Sequence, residues 1–323
     1  MLRERACGLQ AGDRGGGTVS ALRLGTRGSA LAMAQAGAIA ARLGAELVAI
    51  ESEGDRSSAP LADLGGAGVF AAALREALLA GEVDAVVHSY KDLPTTPLPG
   101  LTVAAVPKRA DARDALCTAA GRDLDSLPEG ARVGTGSPRR RAQLLSRRAD
   151  LEVVDIRGNI DTRLGRLDSD DPERRLDAIV VAAAGLERLG RLDAATEVLS
   201  LTSWPTAPAQ GALAVETRTG DEKLVAKLEH RPSRLAAEAE RGVLARLEAG
   251  CAAPLGATAL FDDGLLFLSA RVYALDGSAQ LTASHALYPE DARDPAGELA
   301  ARVADELLAA GAADLAPLGG GRP

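Results

Sequence analysis

The chain has 323 residues, 46% of them hydrophobic and 25% charged, with a formal net charge of −8. That length predicts two or three domains with ordinary cores. The negative balance and an aromatic content of 2% argue against a nucleic-acid surface, a base-stacking platform or an electrostatic membrane binder, and no apolar run approaches the roughly 18 residues of a membrane span.

Residues 1–20 are charged and glycine-rich, without the apolar centre of a signal peptide, and are expected to form a disordered extension. Residues 21–25 read as a short strand and 29–43 as an alanine-rich helix with Ser29 as its N-cap. A second strand is expected over 46–50, a long polar loop over 51–68, a helix over 70–80 and a buried strand over 85–88. This alternation of strand and helix predicts parallel sheet packing. A second α/β unit begins near Asp114, with strands over 131–134, 151–156 and 177–181 and helical segments over 137–149, 160–167 and 185–190. The proline-rich stretch 204–210 turns the chain back, and 211–217 reads as a strand placed to rejoin the first unit.

The tail has a different pattern. A long helix over 232–248 leads through a tight turn to strands over 257–261, 265–274 and 279–287, with Asp262-Asp263-Gly264 as a hairpin signal, and a helix over 296–310 closes the chain. The expected fold class is therefore α/β followed by a small α+β unit. The division is an extension 1–20, a discontinuous first domain of 21–110 and 209–228, a second domain of 111–208 and a third of 229–323. The cysteines (Cys7, Cys117, Cys251) and histidines (His88, His230, His285) show no metal-ligand spacing, so no metal is expected, and the expected compartment is the reducing cytoplasm.

Within this acidic chain, residues 137–166 hold eight arginines, no lysine and four acidic residues. Arg139 and Arg140 follow the turn Gly134-Thr135-Gly136-Ser137, and Arg157 and Arg163 flank Gly158-Asn159. Guanidinium groups beside the free N–H groups of a helix start suit a multiply anionic ligand, pairing bidentately with carboxylate or phosphate. Arg141, Arg147, Arg148 and Arg166 read instead as solvated helix face with acidic partners nearby.

Other segments each admit a plain reading beside a chemical one. Arg27 and Ser29 sit at a strand-to-helix turn and could be a surface arginine and a helix cap. Lys91 and Asp92 directly follow a strand, where side chains of an open α/β sheet face a cleft, although Asp92 also suits an Asx turn before the proline at 94. LADLGGAGVF is glycine-rich but lacks the residues of a Walker motif. Cys251 lies between Gly250 and Ala252, accessible to chemistry or simply a small residue in a turn.

The strings GTRGSALAMAQA, GGAGVFAAALREALL, DAVVHSYKDLP, VGTGSPRRRAQL, DIRGNIDTRL, AAAGLERLG, PAQGALAVE and LEAGCAAPLGA, in this order over about residues 21–260, resemble the hydroxymethylbilane synthases, also called porphobilinogen deaminases. The resemblance implies two periplasmic-binding-protein-like α/β domains around a cleft and a small C-terminal α+β domain. It implies a monomeric enzyme that joins four porphobilinogen molecules head to tail and releases four ammonia. Its implied cofactor is a dipyrromethane bound by a thioether at Cys251. Asp92 matches the family's catalytic aspartate. Ser137, Arg139 and Arg140, with Thr135 and Lys91, would hold cofactor carboxylates, and Arg27, Ser29, Arg157 and Arg163 those of the adjacent ring. The chain departs from the family at Asp63 and Ala67, where many members carry lysine, and at Gly136, where a hydroxyl residue is common. Other readings compete: a two-lobed anion-binding protein, which leaves Asp92 and Cys251 unexplained; an inactive homologue, to which the altered glycine loop points; and a phosphate-ligand transferase, which lacks its P-loop and metal ligands.

Overall fold

The computed structural model describes residues 21–51, 68–249 and 253–318. The expected extension 1–20, most of the expected loop 51–68 with Asp63 and Ala67, and Cys251 lie outside the described residues.

The first unit contains β1 (Arg23–Arg27), α1 (Ala30–Leu43), β2 (Glu46–Ile50), α2 (Gly68–Leu79), β3 (Ala85–Ser89) and β4 (Leu101–Ala105). The Ser29 side chain accepts from the Ala32 N–H to start α1, and Gly44, at φ +68°, ends it in the left-handed conformation that glycine adopts without strain. The second unit contains β5 (Asp114–Thr118), β6 (Arg132–Gly134), α3 (Pro138–Arg147), β7 (Glu152–Val154), α4 (Ile160–Leu164), β8 (Ala178–Ala182), α5 (Ala183–Arg188) and β9 (Glu197–Val198). The chain then returns, and β10 (Leu213–Arg218) enters the first sheet between β3 and β4, giving the order β2-β1-β3-β10-β4.

The second sheet, β7-β6-β8-β5-β9, repeats that plan. In each, three parallel strands come first, the strand arriving from the other segment lies antiparallel to the third, and the edge strand is antiparallel to it. The parallel packing expected of the first three strands holds for β1, β2 and β3, and antiparallel strands complete each sheet, so both are mixed. A strand that enters from the neighbouring unit has no helical crossover to turn it round, so it runs against its neighbours.

Both sheets are covered on both faces, which explains their short, nearly continuous apolar strands. In the second, Leu116, Ala178 and Val180 face one cluster with Trp204, while Cys117, Ile179 and Val181 face another with Ile156. In the first, Ala85 and Val87 of β3 face one core and Val86 the other.

The C-terminal unit is α6 (Arg231–Arg246), an antiparallel sheet of β11 (Leu255–Asp262), β12 (Leu265–Tyr273) and β13 (Gln280–Leu287), then α7 (Pro295–Ala309) and α8 (Ala312–Leu315). Asp263 and Gly264, with φ of 47° and 82°, form the turn between β11 and β12. One face of β12, with Leu266, Leu268, Ala270 and Val272, is buried with residues of α6 and α7, while Leu265, Phe267, Ser269 and Arg271 lie on the less buried side.

Candidate active site

The candidate residues gather at the carboxyl ends of the parallel strands, where open α/β sheets bind ligands. Ser29 follows β1 and Ser137 follows β6, so the two serines cap equivalent helices in the two sheets. The Ser137 side chain accepts from the Arg140 N–H, and the Thr135 hydroxyl accepts from the Ser137 N–H at 3.2 Å. Lys91 and Asp92 lie in a 3-10 turn, Tyr90–Asp92, directly after β3. Arg157 and Arg163 follow β7, and Asn159 caps α4.

The centre of the arrangement is a residue that the sequence reading treats only as the start of the second unit. Asp114, wholly buried in β5, accepts from Arg139 Nη1 at 2.9 Å, Arg140 Nη2 at 2.6 Å, Gln210 Nε2 at 2.7 Å and the Trp204 indole N–H at 2.9 Å. Burial opposes ionisation of this carboxyl, but the charges of Arg139 and Arg140 outweigh it and hold the group far below the usual carboxylate range. Arg139 also donates to Gln143 Oε1 and the Pro205 carbonyl, and Arg140 to the Val180 carbonyl. Both arginines are therefore anchored in the wall of the second unit, yet the buried Nε–H of each has no hydrogen-bond partner among the described residues.

Gln210 ties this cluster to the first unit. Its Oε1 accepts from Lys91 Nζ at 3.3 Å and Arg140 Nη2 at 3.4 Å. Burial lowers the affinity of Lys91 for its proton; Asp92 and Asp114 counter that, and Arg140 and Arg139 reinforce it. Arg139 and Arg140 thus pair with one buried carboxylate and Lys91 joins them through Gln210, leaving positive charge in excess. Arg163 adds to it: it is driven below its usual range by burial and by the charges of Arg140 and Arg157, and its Nε donates to the Gly158 carbonyl at 2.8 Å. Arg157 is about half exposed, 3.5 Å from an Asp155 carboxylate oxygen. Asp92 is exposed, with no hydrogen bond to its carboxylate among the described residues.

Arg147 and Arg148 meet acidic partners as expected, Asp125 and Asp150. Arg141 and Arg166 instead donate to the carbonyls of Val153 and Arg174. Sequence reasoning missed Asp114, Gln143, Trp204 and Gln210: Trp204 and Gln210 donate to Asp114, while Gln143 accepts from Arg139 and donates to the Pro205 carbonyl and the Tyr273 hydroxyl. The one available signal for Trp204 is that it is the chain's single tryptophan, in a proline-rich return. Among the described residues no group of His, Cys, Asp or Glu could hold a metal ion, and no helix is long and apolar enough to cross a membrane.

An anionic group with several carboxylates fits this wall: it would find excess positive charge and two helix starts. Comparison with known proteins agrees in kind. Residues 22–226 match the family model described as porphobilinogen deaminase, dipyromethane cofactor binding domain, and residues 234–309 match its C-terminal domain. The chain is 58% identical over 318 residues to the porphobilinogen deaminase of Leifsonia xyli subsp. xyli, covering 93% of this chain and 95% of that one. It is 52% identical over 311 residues to that of Mycobacterium tuberculosis, covering 91% and 98%. Among solved structures, the methionine binding protein MetQ is similar with a TM-score of 0.37 and 16% identity over 64% of this chain and 89% of that one. A YaeC-family lipoprotein from Enterococcus faecalis gives 0.35 and 17% over 64% and 90%.

Proposed function

The chain belongs to the porphobilinogen deaminase family, and we propose how its residues divide the work of condensing porphobilinogen stepwise into the linear tetrapyrrole hydroxymethylbilane. The observation that carries the assignment is the buried excess of positive charge beside Asp92: Arg139 and Arg140 paired with the single carboxylate of Asp114, and Lys91 joined to them through Gln210. Each pyrrole of substrate and cofactor bears an acetate and a propionate, so the ligand supplies the anions that this wall lacks.

Cys251 is the proposed attachment point of the dipyrromethane. When bound, that group supplies the pyrrole carbon to which the growing chain is joined. Thr135, Ser137, Arg139, Arg140 and Lys91 hold its carboxylates. Arg27, Ser29, Arg157 and Arg163 bind those of the incoming ring. Asp114 holds Arg139 and Arg140 in place, since an arginine pair without a counter-ion would repel across the site. Asp92 is the catalytic carboxylate. Loss of ammonia from the substrate leaves a cationic azafulvene, and an anion beside its pyrrole N–H stabilises that charge as it forms. The same carboxylate can take the proton released from the coupled ring carbon and, in its acid form, give it to the amine that departs in the next round.

This reading takes 21–110 with 209–228, 111–208 and 229–323 as three domains, supported by the membership of the three sheets. It takes the working unit to be a cytoplasmic monomer. The test of the assignment is Asp92→Ala, assayed for hydroxymethylbilane formation with cofactor content checked by mass. The expected result is a fall in kcat of about 100-fold or more with KM little changed, in the range that proton transfer and charge stabilisation contribute. Near-normal turnover would remove Asp92 from the mechanism.

A further inference from the structure

The turn that carries Asp92 is held from outside its own sheet. Arg241, on α6 of the C-terminal unit, is 8% exposed. Its Nη1 donates to the Tyr90 carbonyl at 2.8 Å and the Leu93 carbonyl at 2.7 Å, and its Nη2 donates to the Pro94 carbonyl at 2.8 Å. The guanidinium carbon lies 4.5 Å from the centre of the Tyr90 ring. These carbonyls bracket Lys91 and Asp92 on both sides. A planar guanidinium can lie on an aromatic ring while its edge reaches several carbonyls, which a lysine ammonium cannot do.

The same turn has two further fixed points. The Tyr90 N–H donates to the Ala212 carbonyl at 3.0 Å, and Lys91 reaches Gln210. Both belong to the return segment just before β10. The Asp92 side chain itself has no hydrogen bond among the described residues, so its direction is set by the backbone beneath it. Arg241 also sits on the helix that runs toward Cys251, ten residues further along the chain.

We propose that Arg241 is a positioning residue for the condensation: it fixes the Tyr90–Leu93 turn to the cofactor-bearing C-terminal unit and so sets the Asp92 carboxylate against the cofactor. The inference rests on the reading of Asp92 as the catalytic carboxylate. Arg241 touches neither substrate nor cofactor in this account. Its effect passes through main-chain carbonyls, so the reacting rings should bind normally while the charge that develops on them is stabilised less well.

The experiment is a double-mutant cycle on cofactor-loaded enzyme, using Arg241→Met, Arg241→Lys and Asp92→Glu, with occupancy read by intact mass. Met keeps most of the buried volume but donates nothing. The expected result for R241M is a kcat lowered about 10- to 100-fold with KM within about threefold and full occupancy, a geometric loss of the size that a displaced catalytic group produces. R241K should recover part of it. In the D92E background, where the carboxylate is already displaced, R241M should lower kcat by less than about threefold, because residues acting as a unit are not additive. Should R241M fail to fold, R241K carries the same kcat and coupling comparison alone. The proposal is overturned if the folded variant keeps its kcat, if the loss lies only in occupancy or KM, or if R241M costs the same factor in both backgrounds. A D92E variant with normal turnover would instead remove the reading of Asp92 beneath it, whatever Arg241 does.

Discussion

Two buried carboxylates show how far single residues were legible. Asp114 reads in the sequence only as the start of the second unit, because nothing local marks it: its partners Arg139, Arg140, Trp204 and Gln210 lie 25 to 96 residues away. The arginines were legible from their density and their place at a helix start, but their deep anchoring was not, since burial is a tertiary property. Glu216 in β10 is similar. Arg75 donates to both its oxygens at 2.9 and 2.8 Å, and His88 Nε2 lies 3.0 Å from Oε2. Burial opposes its ionisation, but the contacts from His88 and Arg75 outweigh that and bring the carboxyl down to about 2. A carboxyl depressed in the folded state contributes stability above its unfolded value of about 4.5, and loses it as pH falls toward about 2. The full contribution is roughly 3 kcal/mol. Glu216→Gln should therefore be less stable than the parent at pH 7 in urea unfolding, with the gap closing between about pH 4.5 and pH 2. A gap that stays constant over that window would show that the ionisation of Glu216 is not linked to folding.

At the scale of elements, strong local signals survived and weak ones did not. The capped helix α1, the hairpin at Asp263-Gly264 and the second strand follow from residues within a few positions of each other. The strands β4, β5 and β9 were not foreseen: β4 follows a proline-bearing segment, β5 is buried at every position and so shows no alternation, and β9 is two residues long, so none presents a period to read. The return segment turns tightly against the outgoing chain. Ala209 takes φ +62° and Gly211 φ +84°, and a Cβ on Gly211 would lie 2.8 Å from the Ala110 carbonyl oxygen. The Gly211 carbonyl in turn accepts from the Ala110 N–H and from Arg188. Gly211→Ala should cost about 1–3 kcal/mol of stability, combining a disfavoured φ with a backbone clash. Its thermal or urea midpoint should fall accordingly, and an unchanged midpoint would mean that the crossing relaxes freely.

The whole molecule is two sheets of one plan joined through two strands of chain near residues 110 and 210, with the C-terminal unit fastened to that junction. Glu240, wholly buried on α6, pairs bidentately with Arg109 at 2.7 and 2.9 Å and accepts from the N–H groups of Ala209 and Ala259. One side chain thus links both crossing strands to β11. The two-lobed division was legible because motif order along the chain fixes which strands end at the cleft. The mutual arrangement of lobes and third unit was not, since it depends on buried pairs such as Arg109 with Glu240 that no local pattern announces. The proposed function requires Cys251, the Asp92 turn and the arginine wall to serve one covalently held chain. Intact mass of the purified protein, with a peptide map around Cys251 before and after adding porphobilinogen, tests that most directly. The account predicts an excess of two linked pyrrole units on the Cys251 peptide, and further single-pyrrole increments once substrate is added. A thiol at Cys251 that stays unmodified after incubation with porphobilinogen or preformed hydroxymethylbilane would contradict it.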